Sequence, residues 1–152
     1  MTLLTKCTSW VWYLRVYRLV RRLDRELKSE GIKLIYERYY DSKSSVPEIR
    51  PLSQKEVLFV QRTGQIIERV CFHFLGQARC LHRSLAGYHL FLQRGLPIDL
   101  VVGVMKKPFM AHAWLEYNGN VINDNPDAVK DLTVQLHTGK LRYSDTKGEV
   151  AK

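Results

Sequence analysis

The sequence predicts an α+β fold, with helices first and antiparallel strands last. Three observations carry that prediction. Apolar residues recur at helical steps through most of the chain up to about Arg94. The period then changes to a β-branched run from Ile98 to Met105. Finally, Asn118-Gly119 lies between His112–Tyr117 and Val121–Asp124, a strong hairpin signal.

From Ser9 to about Glu30, Trp12, Val16, Leu19, Leu23 and Leu27 recur at three- and four-residue steps. Arg15, Arg18, Arg22 and Arg25 share another face, suited to solvent, to a partner or to an anionic surface. Thr8 or Ser9 can cap the start, and Gly31 stands where a glycine stop belongs. Ile32–Tyr40 is a candidate strand of ambiguous period, and Asp41–Pro51 is the best linker in the chain. These boundaries divide the chain into an N-terminal helical docking segment with linker (1–52), a core (53–143) and a frayed tail (144–152). Ser53 with Glu56 is a capping-box signature opening a second helix through Val57, Val60, Ile67 and Cys71. After a break at Gly76, a third helix runs from about Arg79 to Arg94, closed by Gly95 and followed by Pro97.

The chain has 152 residues, 45% hydrophobic and 26% charged, which is enough for one domain with its own core. Its net charge of +9 suits acidic peptide, nucleic acid or anionic membrane. The aromatics sit at core periods, and no nucleic-acid motif appears, so nucleic acid is not expected as a partner. Three cysteines, Cys7, Cys71 and Cys80, give no secreted disulfide framework. The apolar run Trp10–Leu14 is followed at once by Arg15 and Arg18, with no cleavage site, and no stretch is long and apolar enough to span a membrane. A cytoplasmic protein is expected. Cys71-Phe72-His73 and Cys80-Leu81-His82 form paired Cys-x-His patterns, but the spacing is too short for the usual zinc sites, and no metal is expected.

Cys80 falls in the first turn of the third helix, where the macrodipole, unpaired backbone N–H groups and Arg79 favour a thiolate. His112, at the start of a strand, is placed to take the thiol proton and return it to a leaving amine. Asp124, on the partner strand, is the natural group to orient the imidazole. Each also has an ordinary structural reading: core thiol, solvated imidazole, turn carboxylate. The backbone N–H of Cys80 is the expected first oxyanion donor, with Gln77 as a candidate for the second. Cys71, on the inner stripe of the preceding helix, reads as core.

The hairpin register bears on the third member. A two-residue Asn118-Gly119 loop pairs Tyr117 with Asn120 and sets His112 across from Asn125, which would then be the orienter. A three-residue loop, with Gly119 in the left-handed position of a bulge, pairs Glu116 with Asn120 and sets His112 across from Asp124. Asp124 as orienter therefore predicts the bulged loop.

Ala78-Arg79-Cys80-Leu81-His82-Arg83-Ser84-Leu85-Ala86, Arg94-Gly95-Leu96-Pro97, Gly103-Val104, Phe109-Met110-Ala111-His112-Ala113-Trp114 and Asn123-Asp124 together resemble a known family. It is the transglutaminase-like leader peptidases of lasso-peptide biosynthesis, and the likeness covers about Ser53 to Asp127. The resemblance implies a papain/transglutaminase-like core and a Cys80–His112–Asp124 triad with no cofactor. His82 departs from the family pattern, which commonly has Pro there. The short stretch before Ser53 implies the split form, in which a separate leader-recognition protein delivers the precursor peptide. Cleavage at the leader–core junction would then hand the freed N-terminus to a macrolactam-forming cyclase. The same triad serves acyl or amide transferases and amidases, and a non-enzymatic basic binding module is the reading from a different class.

Overall fold

The computed structural model describes residues 3–31, 33, 37–38, 46–75 and 80–143. Helices α1 (Leu3–Glu30), α2 (Gln54–Leu75) and α3 (Cys80–Leu92) pack on one another and on a four-stranded antiparallel sheet. Its strands are β1 (Ile98–Lys106), β2 (Phe109–Tyr117), β3 (Asn120–Val121) and β4 (Thr133–His137), in the order β3-β2-β1-β4. A short helix α4 (Pro126–Val129) joins β3 to β4, and a 3-10 turn (Thr138–Tyr143) follows. This is the α+β arrangement that the sequence predicts.

The pleat of β1 and β2 sorts the core into two faces. Leu100, Val102, Ala113 and Leu115 point toward the helices, in one cluster with Leu23, Val70 and Phe91. Val101 and Trp114 point the other way and pack against Val129 and Leu132, around α4. The α1 stripe Val16, Leu19, Val20 and Leu23 is buried in the larger cluster. Each such side chain contributes about 1.5–3 kcal/mol through burial, so α1 is tied to the same core as α2 and α3.

Local signals place two of the helix ends, whereas α1 starts at Leu3, ahead of the cap expected at Thr8 or Ser9. The Ser53 N–H and hydroxyl both donate to Glu56 Oε2 at 2.8 Å, and the Glu56 N–H donates to Ser53 Oγ at 3.4 Å. This reciprocal box satisfies amides that the first turn leaves open. At the end of α3, Gly95 has φ +64°, and the Leu96 N–H donates to Phe91 O at 3.0 Å. That left-handed step is why a glycine closes the helix.

α1 and α3 are also joined through charge. His82 Nε2 lies 3.2 Å from Asp24 Oδ1, and Lys28 Nζ donates to Asp24 Oδ2 at 2.7 Å. The Lys28 hydrogen bond, opposed by burial and aided by His82, holds the Asp24 carboxyl below its ordinary value. A depressed folded-state pKa gives stability that is fully present above the unfolded value, near 4, and lost as pH falls through the folded one. Asp24→Asn should therefore cost about 1.5–3 kcal/mol near neutral pH and less in acid. Denaturant melts from pH 7 down to pH 2 check this; parallel curves for the two proteins would remove Asp24 from the acid response.

Four expectations fall wholly or largely outside the described residues: the Ile32–Tyr40 strand, the first half of the Asp41–Pro51 linker, Gln77 and the 144–152 tail. β4 and the turn after it lie in a stretch that reads only as polar in sequence. Arg142 from that turn makes two hydrogen bonds to the Asp99 carboxylate of β1, at 2.9 and 2.7 Å, with both side chains almost wholly buried. Arg142 Nε also donates to Pro47 O. One guanidinium thus ties Pro47 and the turn after β4 to the start of β1, an inner strand of the sheet.

Candidate active site

α3 begins at Cys80, which is half-buried. One turn on, on the same side of the helix, the Ser84 hydroxyl donates to Ala113 O at 2.9 Å. Ala113 is the neighbour of His112, so this buried bond ties the first turns of α3 to the part of β2 that carries the imidazole. Gly87, further along, packs close enough that an added Cβ would lie 2.7 Å from Leu115 Cδ1. Helix and strand are held at short range.

His112 Nε2 lies 2.9 Å from Asp124 Oδ2. The same oxygen accepts from Arg83 Nη2 at 2.8 Å, and Asp124 Oδ1 accepts from the Asn125 N–H at 2.8 Å. Burial disfavours the charged Asp124, but the bonds from His112 and Asn125, with the positive charge of Arg83, outweigh it and hold the carboxyl below its usual value. It is thus an ionised acceptor for the ring. The imidazole stacks beside Trp114, with centroids 6.4 Å apart and planes at 22°. Trp114 Nε1 in turn donates to Glu116 Oε1 at 2.7 Å, fixing the indole.

The hairpin does not take the bulged form expected above. Tyr117 pairs with Asn120 and Glu116 with Val121 across a two-residue loop, with φ +49° at Asn118 and +76° at Gly119. Two successive positive φ values are the signature of a type I′ turn, which Asn-Gly favours. Asp124 nevertheless meets His112, because β3 leaves the ladder after Val121. The Ile122 N–H still donates to Leu115 O at 3.0 Å. The Leu115 N–H, however, goes to the side-chain Oδ1 of Asn123 at 2.7 Å, and Asn123 Nδ2 donates to Ser84 Oγ at 3.0 Å. Once a side chain stands in for backbone, the alternation of faces no longer governs Asp124. Asn125 is engaged elsewhere, capping α4 through the Asp127 N–H.

Arg83 escapes a reading of sequence alone: it binds a carboxylate 41 positions away, with no local pattern to announce it. His82, the position that departs from the lasso-peptidase pattern, turns inward to Asp24 on α1. Cys71 is fully buried, and burial pushes its thiol up to about 11, which suits a core residue.

The sequence profile of the Transglutaminase-like superfamily matches residues 19–137, well over half of the chain. The chain belongs to the transglutaminase-like superfamily. Membership agrees with the helices-on-sheet architecture. Over 66 residues the chain is 36% identical to the microcin J25-processing protein McjB of Escherichia coli. The match takes in 43% of this chain and 32% of that relative, so it spans about a third of the relative's length. No solved structure gives a match. Among the described residues, no helix is long and apolar enough to cross a membrane.

Proposed function

We propose that the chain is a cysteine endopeptidase that removes the leader from a ribosomally made lasso-peptide precursor. The observation that carries this reading is the His112–Asp124 pair at 2.9 Å, set beside the helix that begins at Cys80. With Nε2 committed to Asp124, Nδ1 is the ring nitrogen left to serve Cys80. In the proposed reaction Nδ1 takes the thiol proton and the sulfur attacks the scissile carbonyl carbon. Collapse of the tetrahedral adduct breaks the C–N bond, and the imidazolium gives its proton to the leaving amine. Water, deprotonated by the same nitrogen, then hydrolyses the thioester and regenerates the thiol. The Cys80 N–H, at the helix start, is the oxyanion donor in this scheme. The similarity to a microcin J25-processing protein favours peptide processing over amide transfer.

The partner in this reading is a separate leader-recognition protein that docks on the N-terminal segment. Arg15, Arg18, Arg21, Arg22 and Arg25 line a groove of about 810 Å3 between α1 and α3. Burial first, then the charges of Arg22, Arg38 and Arg15, hold the His89 imidazole in that groove below its ordinary value. Such a surface speeds encounter with an acidic partner and weakens as salt rises.

The test is incubation of the protein, its leader-binding partner and the precursor, read by mass spectrometry. A single cut at the leader–core junction is expected. Iodoacetamide should abolish it in step with carbamidomethylation of Cys80, while buried Cys71 stays unlabelled. Cleavage that survives full modification of Cys80 would refute the reading. The pair Arg18→Glu/Arg25→Glu should remove the partner's stimulation; full stimulation would move the docking surface elsewhere.

A further inference from the structure

On the α2 side of the Asp124 carboxylate the surface opens into a groove of about 660 Å3. Its floor is α3, from Arg83 past Gly87 to Phe91. Val60 and Gly64 of α2 stand on one side, with Leu115 and Ile122 of the hairpin on the other. The eight residue-to-residue steps of α3 from Arg83 to Phe91, at about 1.5 Å each, give a floor roughly 12 Å long, the span of three to four extended residues. Pockets of this volume and apolar character are ordinary binding sites for small ligands and side chains.

Three features say what the groove takes. First, the one guanidinium that lines it among the described residues is already engaged: Arg83 bonds Asp124 at 2.8 Å and lies 3.7 Å from Glu68. An acidic side chain entering here would find no free cation to meet, and a side chain of either charge would lose its water against the apolar floor. Second, apolar surface is left wet at the rim, where Val57 and Ile122 are each 38% exposed. Third, Gly64 sits in the middle of α2, where glycine weakens a helix relative to alanine, yet no contact requires it. A Cβ placed there would meet nothing within 4 Å. That glycine leaves the wall open where a larger residue would fill the groove. The side-chain amides of Gln61 and Gln65 line the same wall and are suited to bonding an extended backbone.

We propose that this groove is a binding site for an extended, uncharged apolar segment of the polypeptide substrate, three to four residues long and seated along α3 with one end at Asp124. The proposal rests on the peptidase reading above and adds a recognition site to it. Because the groove shares Asp124 and Arg83 with the reactive cluster, a segment held there is tethered beside the imidazole. Apolar side chains on the floor supply affinity, and the shallow polar wall supplies direction.

The test uses the full-length Cys80→Ala protein, so that binding is read without turnover. The probes are fluorescein-labelled hexapeptides Gly-Leu-Ser-Val-Tyr-Gly, and the same peptide with Leu and Val replaced by Glu or by Lys, followed by anisotropy. The apolar peptide should bind at least roughly tenfold more tightly than either charged version. Adding Gly64→Leu should cut its affinity by roughly tenfold or more, while Gly64→Ala should bind nearly as well as the parent and melt higher. Ile122→Asp, at the exposed rim, gives a second block should Gly64→Leu fail to fold. Equal affinity for the three peptides, no binding of the apolar one, or undiminished binding by a folded blocked variant would each overturn the site. The two readings part in the Cys80 enzyme. Binding without cleavage removes the peptidase and keeps the groove, and undiminished cleavage by both blocked variants removes the groove and keeps the peptidase.

Discussion

Alanine in place of Cys80 should abolish precursor cleavage while leaving the melting temperature and peptide binding close to those of the parent. The proposed reaction needs a sulfur that bonds covalently to the carbonyl carbon, and the other described thiol, Cys71, is fully buried with its pKa pushed up to about 11. The loss should be on the order of a thousandfold or more, since removal of a nucleophile leaves only the contributions of binding and oxyanion stabilisation. Stability should hold because Cys80 is half-buried at a helix start, where removing one sulfur leaves little cavity. Asp124→Asn provides the scale: an amide keeps the shape but loses the charge that orients the ring, and roughly two to four decades should go. Single-turnover rates on purified proteins check both. Cleavage by pure Cys80→Ala near the parent rate would end the mechanism proposed here, and an Asp124→Asn enzyme at full rate would reduce that residue to a structural role.

Arg142→Met should produce the largest loss of stability. It strips a buried carboxylate, Asp99, of both guanidinium bonds and leaves it, among the described residues, the Thr138 hydroxyl at 3.5 Å. Breaking such a pair from one side typically costs about 3–5 kcal/mol, because the remaining charge stays buried without compensation. For a domain of this length that is a fall of about 10 °C in melting temperature. Replacing both partners by apolar residues, Asp99→Leu with Arg142→Met, should recover much of the loss, because desolvation of the orphaned charge disappears with it. Calorimetry on the three variants decides the point. A single mutant within 1 °C of the parent would show that the pair is not a structural fastening.

What the sequence discloses follows the range of the interaction. The Ser53–Glu56 box and the Gly95 stop are legible because everything that makes them lies within a few residues. The hairpin at Asn118-Gly119 is legible for the same reason. The bulged register, by contrast, rests on the assumption of a strand that runs unbroken to Asp124. That assumption fails at Asn123, whose amide takes the place of backbone through a contact to Ser84, 39 positions earlier. Arg83 with Asp124 and Arg142 with Asp99 were hidden in the same way, each pair being more than 40 positions apart. β4 was missed because its outer positions are polar or exposed and only Leu136 is buried. Pairing with β1 makes it a strand, and local pattern does not show this.

The departure of β3 from the ladder also separates two tasks that a regular hairpin would join. Asn123 is fixed by Leu115 and Ser84, and Asp124 by His112, Arg83 and the Asn125 N–H. None of these anchors is in the turn. A residue inserted between Tyr117 and Asn120 would lengthen an exposed tip, and these bonds would still return Asp124 to the imidazole. The tip of the hairpin is therefore a place where the chain can change length, accept a tag or drift in sequence while the carboxylate keeps its station.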